Sequence, residues 1–120
     1  MAYKYTTELL QHFENPKNLG ALKDYTLKNS GYNEKDGDWI EFYLLIQDGI
    51  LEDVGYLVKG CPRAIASSSY TSVLIKGKKI EDILNINDAS IRQALGLEDP
   101  KFKCVAIPLK IVQDVLKKFI

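Results

Sequence analysis

The 120-residue sequence predicts an α+β domain, a small antiparallel sheet with helices packed on one face. Three observations carry that expectation. Apolar residues alternate at Ile40, Phe42, Leu44 and Ile46, with Glu41, Tyr43 and Gln47 between them, the period of a strand with one face in a core. Asp48-Gly49 follows directly, a pair that tolerates positive φ at both central positions of a hairpin turn. Beyond Gly60 the pattern becomes helical and is punctuated by Pro62, Gly77, Asn87 and Gly96.

In chain order, Thr6 or Thr7 can cap a first helix running through Phe13, with Leu9, Leu10 and Phe13 on one side. Asn15-Pro16 ends it, because a residue before proline avoids the helical region. A polar segment continues to about Asp38, with a weak strand expected near Tyr25 to Lys28. After the alternating strand and its turn, Leu51 to Lys59 reads as the return strand. Pro62, at a first helical position where a missing N–H costs nothing, opens a helix expected to reach Lys76 and stop at Gly77. Ile80 to Leu84 reads as a short helix, and Asn87 can cap another over Asp88 to Leu95. A last helix begins near Cys104, Val105 or Ile107, since Pro108 is tolerated only in its first turn, and ends at Phe119.

No linker or repeat divides the chain, so residues 1–120 read as a single domain. Sixteen basic residues balance sixteen acidic ones, without the basic excess of a dedicated nucleic-acid binder. The longest apolar run, Phe42 to Ile46, is far short of the roughly 20 residues of a membrane span. The first residues lack the apolar core of a signal peptide, so a cytoplasmic protein is expected. In that reducing setting, Cys61 and Cys104 are expected as free thiols, buried thiols or metal ligands.

Three features could carry chemistry. Cys61 opens the long middle helix, Cys104 stands at or just before the last one, and Asp36-Gly37-Asp38 forms a turn ahead of the first core strand. Helix N-termini stabilise thiolates, and thiolates bind borderline metals and accept sulfur. The rival readings are ordinary: a lone cysteine as a small buried hydrophobe, and Asp-Gly-Asp as a plain turn. Ser67, Ser68 and Ser69 show no histidine partner in the sequence and are read as small residues for close helix–sheet packing. His12, the one histidine, is read as a partly exposed packing residue. No Ser–His or Cys–His pair, HExxH or phosphate-binding loop supports hydrolase chemistry, and the protein is not expected to be an enzyme.

Two longer segments bring these features together. Gly60-Cys61-Pro62-Arg63-Ala64-Ile65-Ala66-Ser67-Ser68-Ser69 and His12-Phe13-Glu14-Asn15-Pro16-Lys17-Asn18-Leu19-Gly20 resemble signature segments of the IscU/SufU/NifU N-terminal family of iron–sulfur cluster assembly scaffolds. Asp36-Gly37-Asp38 aligns with that family's Cys-Gly-Asp turn, Lys76-Gly77-Lys78 with its helix end, and Cys104 with its third cysteine. The resemblance implies a three-stranded antiparallel sheet. It implies a scaffold that takes sulfur from a cysteine desulfurase, takes iron, assembles a [2Fe-2S] cluster and passes it to recipient proteins, with zinc able to occupy the isolated site. Carried over by position, the pocket is Asp36, Asp38, Cys61 and Cys104. Asp38, Cys61 and Cys104 are the matching cluster ligands, and Cys104 is the sulfur acceptor.

The chain also departs from that pattern. Asp36 replaces a cysteine, a hard ligand for a soft one, which leaves two thiolates and makes a labile cluster or a single iron or zinc ion the expected cargo. Lys103 replaces a histidine; protonated, it cannot ligate, but it can pair with Asp36 or Asp38 and favour the Cys104 thiolate. This leaves a second reading, a metal-poor paralogue that binds a desulfurase or carries sulfur. The family's Leu-Pro-Pro-Val-Lys segment reads Leu97-Glu98-Asp99-Pro100-Lys101, which speaks against dedicated chaperone docking.

Overall fold

The computed structural model describes residues 5–34, 37–97 and 105–119. Helix α1 (Thr7–Glu14) precedes three strands, β1 (Leu27–Asn33), β2 (Asp38–Gln47) and β3 (Ile50–Lys59). Among the described residues four helices follow: α2 (Pro62–Ile75), α3 (Ile80–Leu84), α4 (Asp88–Ala94) and α5 (Ile107–Phe119). The sheet is antiparallel in the order β1-β2-β3, with α2 and α5 packed on it, as the sequence predicts.

The alternating pattern places Ile40, Phe42 and Leu44 in the core, each at most 1% exposed. Phe42 pairs with Tyr56 across the ladder, and their rings stack with centroids 5.3 Å apart. Burying each such side chain contributes about 1.5–3 kcal/mol before entropy is counted. Asp48 and Gly49 both have positive φ, 54° and 76°, the conformation of a two-residue hairpin turn. Ile46, expected in the core, is only half-buried. The register slips by one between Leu45 and Ile46, leaving Glu52 without a partner in β2 and turning the end of the strand.

The first strand lies further along than expected. β1 runs over Leu-Lys-Asn-Ser-Gly-Tyr-Asn, residues of mostly low strand propensity, and is specified by its partners. Its ladder with β2 covers Leu27↔Leu44 to Asn33↔Asp38. The absence of a side chain at Gly31 lets α5 approach, since a Cβ there would lie 2.9 Å from Ile111 Cδ1. Asn29 Nδ2 donates to Ile111 O at 3.0 Å. Of the three apolar residues expected on one side of α1, only Leu9 is buried; Leu10 and Phe13 are exposed because the helix meets the body of the protein along a narrow stripe.

The helix boundaries follow their punctuation. Thr6 caps α1 by accepting from Leu9 N–H, and Asn87 caps α4 by accepting from Ala89 N–H. Helix α2 ends one residue before Lys76, which is its C-cap, and Gly77 follows with φ +85°. Helix α4 ends at Ala94 with Leu95 as its cap. Helix α5 starts at the latest of the three positions considered, so Pro108 falls in its first turn. Leu109, Val112 and Leu116 form its buried stripe, while Lys110 and Lys117 face solvent. Gln113 Nε2 donates to Ile83 O and Ile86 O, tying α5 to the end of α3.

Candidate metal site

The start of β2 and the end of β3 are neighbours, because Trp39 pairs with Lys59. That pairing brings Asp38 beside Gly60 and Cys61. Asn33 O accepts from Gly37 N–H at 2.7 Å, and Gly37 turns the chain with φ +72°. Asp38 then enters β2 almost fully buried, at 2% exposure. A carboxylate is rarely buried without partners, and this one has two. Its Oδ1 accepts from Cys61 N–H at 3.1 Å, and its Oδ2 lies 3.7 Å from Cys61 Sγ.

Cys61 is the N-cap of α2, in an extended conformation with φ −72° and ψ 169°. Its carbonyl accepts from Ala64 N–H and Ile65 N–H, so the first turn is built on it. Its side chain makes no capping bond and stays half-buried, a free thiol at the positive end of a 14-residue helix. Arg63, the second residue of the helix, reaches the Tyr5 hydroxyl through Nη1 at 3.3 Å.

The spacing of these two side chains is compatible with their sharing one metal ion. A tetrahedral zinc ion with Zn–S of about 2.3 Å and Zn–O of about 2.0 Å holds its sulfur and oxygen donors about 3.5 Å apart. The Oδ2–Sγ separation is 3.7 Å. Of the four residues expected in the pocket, the structure brings Asp38 and Cys61 together. Asp36 and Cys104, and with them Lys103, lie outside the described residues. Among the described residues no group of three histidine, cysteine or acidic side chains is arranged to hold a metal.

The serines and the histidine correct the sequence reading. Ser67, Ser68 and Ser69 are all fully buried, in keeping with close packing. Ser69 nonetheless has a histidine partner: His12 Nδ1 lies 2.7 Å from Ser69 Oγ. The same oxygen accepts from Lys17 N–H at 2.8 Å. One turn along α2, Ser72 Oγ accepts from Asn18 Nδ2 at 3.0 Å and lies 3.3 Å from Lys17 O. The two signature segments are therefore one clasp, with the Asn-Pro-Lys-Asn loop held on the serine face of α2. Ser69 Oγ has no exposed surface and is already bonded, so the pair is structural rather than nucleophilic. The signal available in the sequence was the presence of both segments together; their 57-residue separation concealed the contact. The His12 pKa is lowered by burial and by the nearby Lys17 charge.

Residues 4–120 match the family described as the NifU-like N-terminal domain. The chain belongs to that family. Among relatives of this NifU-like domain is an iron–sulfur cluster assembly scaffold protein IscU of Archaeoglobus fulgidus, 35% identical over 101 residues. That match covers 83% of this chain but only 66% of the relative, so the chain spans just under two thirds of the longer protein. An iron–sulfur cluster assembly scaffold protein IscU of Aquifex aeolicus is 32% identical over 123 residues, covering 100% of this chain and 78% of its own length. Among solved structures, one described as an assembly scaffold for the SUF system of Fervidobacterium islandicum superposes with a TM-score of 0.82. It shares 18% identity, with 93% of this chain and 96% of that one covered. The N-terminal part of a NifU-like protein from Brucella abortus gives a TM-score of 0.76 at 18% identity, covering 94% and 92%. At these identities the two structures speak to the fold, and it is that of the NifU-like domain.

Proposed function

We propose that this NifU-like domain, residues 1–120, is an iron–sulfur cluster assembly scaffold whose cargo is iron or a labile [2Fe-2S] cluster. The observation that carries the reading is the buried Asp38 carboxylate beside the Cys61 thiol, 3.7 Å apart at the start of α2. One hard and one soft donor suit an ion held firmly enough to be built upon and loosely enough to be handed on. Asp36 and Cys104 complete the pocket in this proposal. With two thiolates rather than four, one iron of a cluster takes oxygen ligands, which favours release. Zinc occupies the same donors in the isolated protein.

Sulfur arrives from a cysteine desulfurase at Cys104. The Cys104 thiolate attacks the outer sulfur of the donor's persulfide, the donor's S–S bond breaks, and the donor cysteine leaves as a thiolate. No oxidant is consumed. Reduction of that sulfur to sulfide draws two electrons from an external reductant. The protein releases its cargo to recipient proteins and is not itself an enzyme. No helix among the described residues is long and apolar enough to cross a membrane, and we place the protein in the reducing cytoplasm, where both thiols persist.

Anaerobic reconstitution with iron, sulfide and reductant, read by visible absorption and iron content per chain, tests the reading. The expected result is a sulfide-to-iron charge-transfer band that is lost in both Cys61→Ser and Cys104→Ser. The absence of a band on the folded protein overturns the cluster. Asp36 and Lys103, standing where the family has cysteine and histidine, favour a specific second reading: a metal-poor paralogue that docks on a desulfurase or carries sulfur on Cys104. Under it, the folded protein gives no band, yet Cys104 still acquires a persulfide mass increment from a desulfurase.

A further inference from the structure

Gly60 is exposed, and its backbone is not among the positive-φ positions, so conformational freedom does not explain a glycine there. The side-chain space does. A Cβ at residue 60 would collide with Asp38 Oδ1 and lie 2.8 Å from Asp38 Cγ and 3.1 Å from Ala64 Cβ. The volume that any other residue would fill is occupied by the Asp38 carboxylate.

We propose that Gly60 is a positioning residue of the candidate metal site: its missing side chain seats the Asp38 carboxylate so that one oxygen meets Cys61 N–H while the other faces Cys61 Sγ. The proposal rests on the reading of Asp38 and Cys61 as donors to one ion. Asp38 stands on β2 and Cys61 caps α2, and Gly60 is the link between β3 and that helix. Through this contact one residue fixes the oxygen donor against the sulfur donor, at 3.1 Å to the amide and 3.7 Å to the thiol. With a methyl group at position 60 the carboxylate cannot keep its present seat, because the added carbon would overlap it.

The test is a double-mutant cycle of Gly60→Ala and Asp38→Ala on the full chain, labelled with nitrogen-15. It has two readouts: hydrogen exchange of the Cys61 amide, and zinc affinity by competition with a chelating dye. Gly60→Ala is expected to speed exchange of the Cys61 amide by at least about tenfold, as loss of a charge-assisted hydrogen bond does. Zinc affinity is expected to fall by at least about tenfold, as it does when a ligand loses its orientation. In the Asp38→Ala background, Gly60→Ala is expected to change neither, because the carboxylate it displaces is gone. An unchanged Cys61 amide in Gly60→Ala, or an effect of the same size in both backgrounds, overturns the proposal. Should Gly60→Ala be too unstable to study alone, the proposal requires that adding Asp38→Ala raise its Tm to that of Asp38→Ala by itself, and failure to do so overturns it. If the wild-type chain binds no zinc, the donor reading fails while the amide cycle still decides the role of Gly60.

Discussion

His12 Nδ1 and Ser69 Oγ, 57 residues apart in the chain, lie 2.7 Å apart in the fold, and Lys17 N–H bonds the same oxygen. This hydroxyl fastens the loop after α1 to the helix that carries Cys61. Removing it leaves a backbone donor and an imidazole unpaired beside a fully buried position. Ser69→Ala is expected to destabilise the protein by about 1–3 kcal/mol. Urea denaturation measures it; a loss within error of zero would show that the clasp contributes nothing net.

The same contact gives stability a pH dependence. Burial first, then the Lys17 charge, lowers the His12 pKa below its ordinary value of 6.5. The T-shaped contact with Tyr70, at 5.6 Å between centroids, supplies no negative charge to oppose that shift. The unfolded chain therefore takes up the proton more readily than the folded one. The contribution is fully present above pH 6.5 and is lost as the pH falls from there through the folded pKa. Tm measured from pH 7.5 to 5 is expected to decline across that window, and His12→Gln is expected to flatten that part of the decline. Equal slopes for the two proteins would refute the linkage.

Sequence patterning specified the elements that bury an apolar face. The alternation at Ile40, Phe42 and Leu44, the Asp48-Gly49 turn and the Pro62 helix start each depend on local chemistry, and each appears in the fold. β1 is less legible in the sequence because Asn29, Ser30 and Gly31 have little preference for a strand and are held by β2 and α5. The His12–Ser69 contact was hidden for a related reason: side-chain hydrogen bonds across 57 residues leave no periodic trace. Asp38 and Cys61 were legible as a pair only through the resemblance. The register that joins them, Trp39↔Lys59, belongs to the sheet and not to either segment.

Gly31 makes a testable case of that dependence. A Cβ there would lie 2.9 Å from Ile111 Cδ1 and 3.0 Å from Ile111 Cγ1, tighter than ordinary contact. Gly31→Ala is expected to cost about 1–3 kcal/mol, the usual range for overpacking. Ile111→Val removes the atom met first, so the double variant is expected to be more stable than the sum of the single effects. A thermal or urea double-mutant cycle reads the coupling, and strict additivity would place the strain elsewhere.

Asp38→Asn separates the structural role of the site from its chemistry. The amide keeps the shape of the side chain and an oxygen that can accept from Cys61 N–H, so the start of α2 should hold and the Tm should stay close to wild type. The negative charge is lost, and a neutral amide is a much poorer donor to zinc or ferrous iron than a carboxylate. Zinc affinity is expected to fall by more than about tenfold, the scale at which metal sites respond to damaged ligation. Asp38→Ala should weaken zinc as much but also lower the Tm, because Cys61 N–H then loses its acceptor. Competition titrations and melting curves on the two variants decide the matter. If Asp38→Asn binds zinc as tightly as wild type, the carboxylate serves only to hold the Cys61 amide, and the ion, where it binds, is held by other donors.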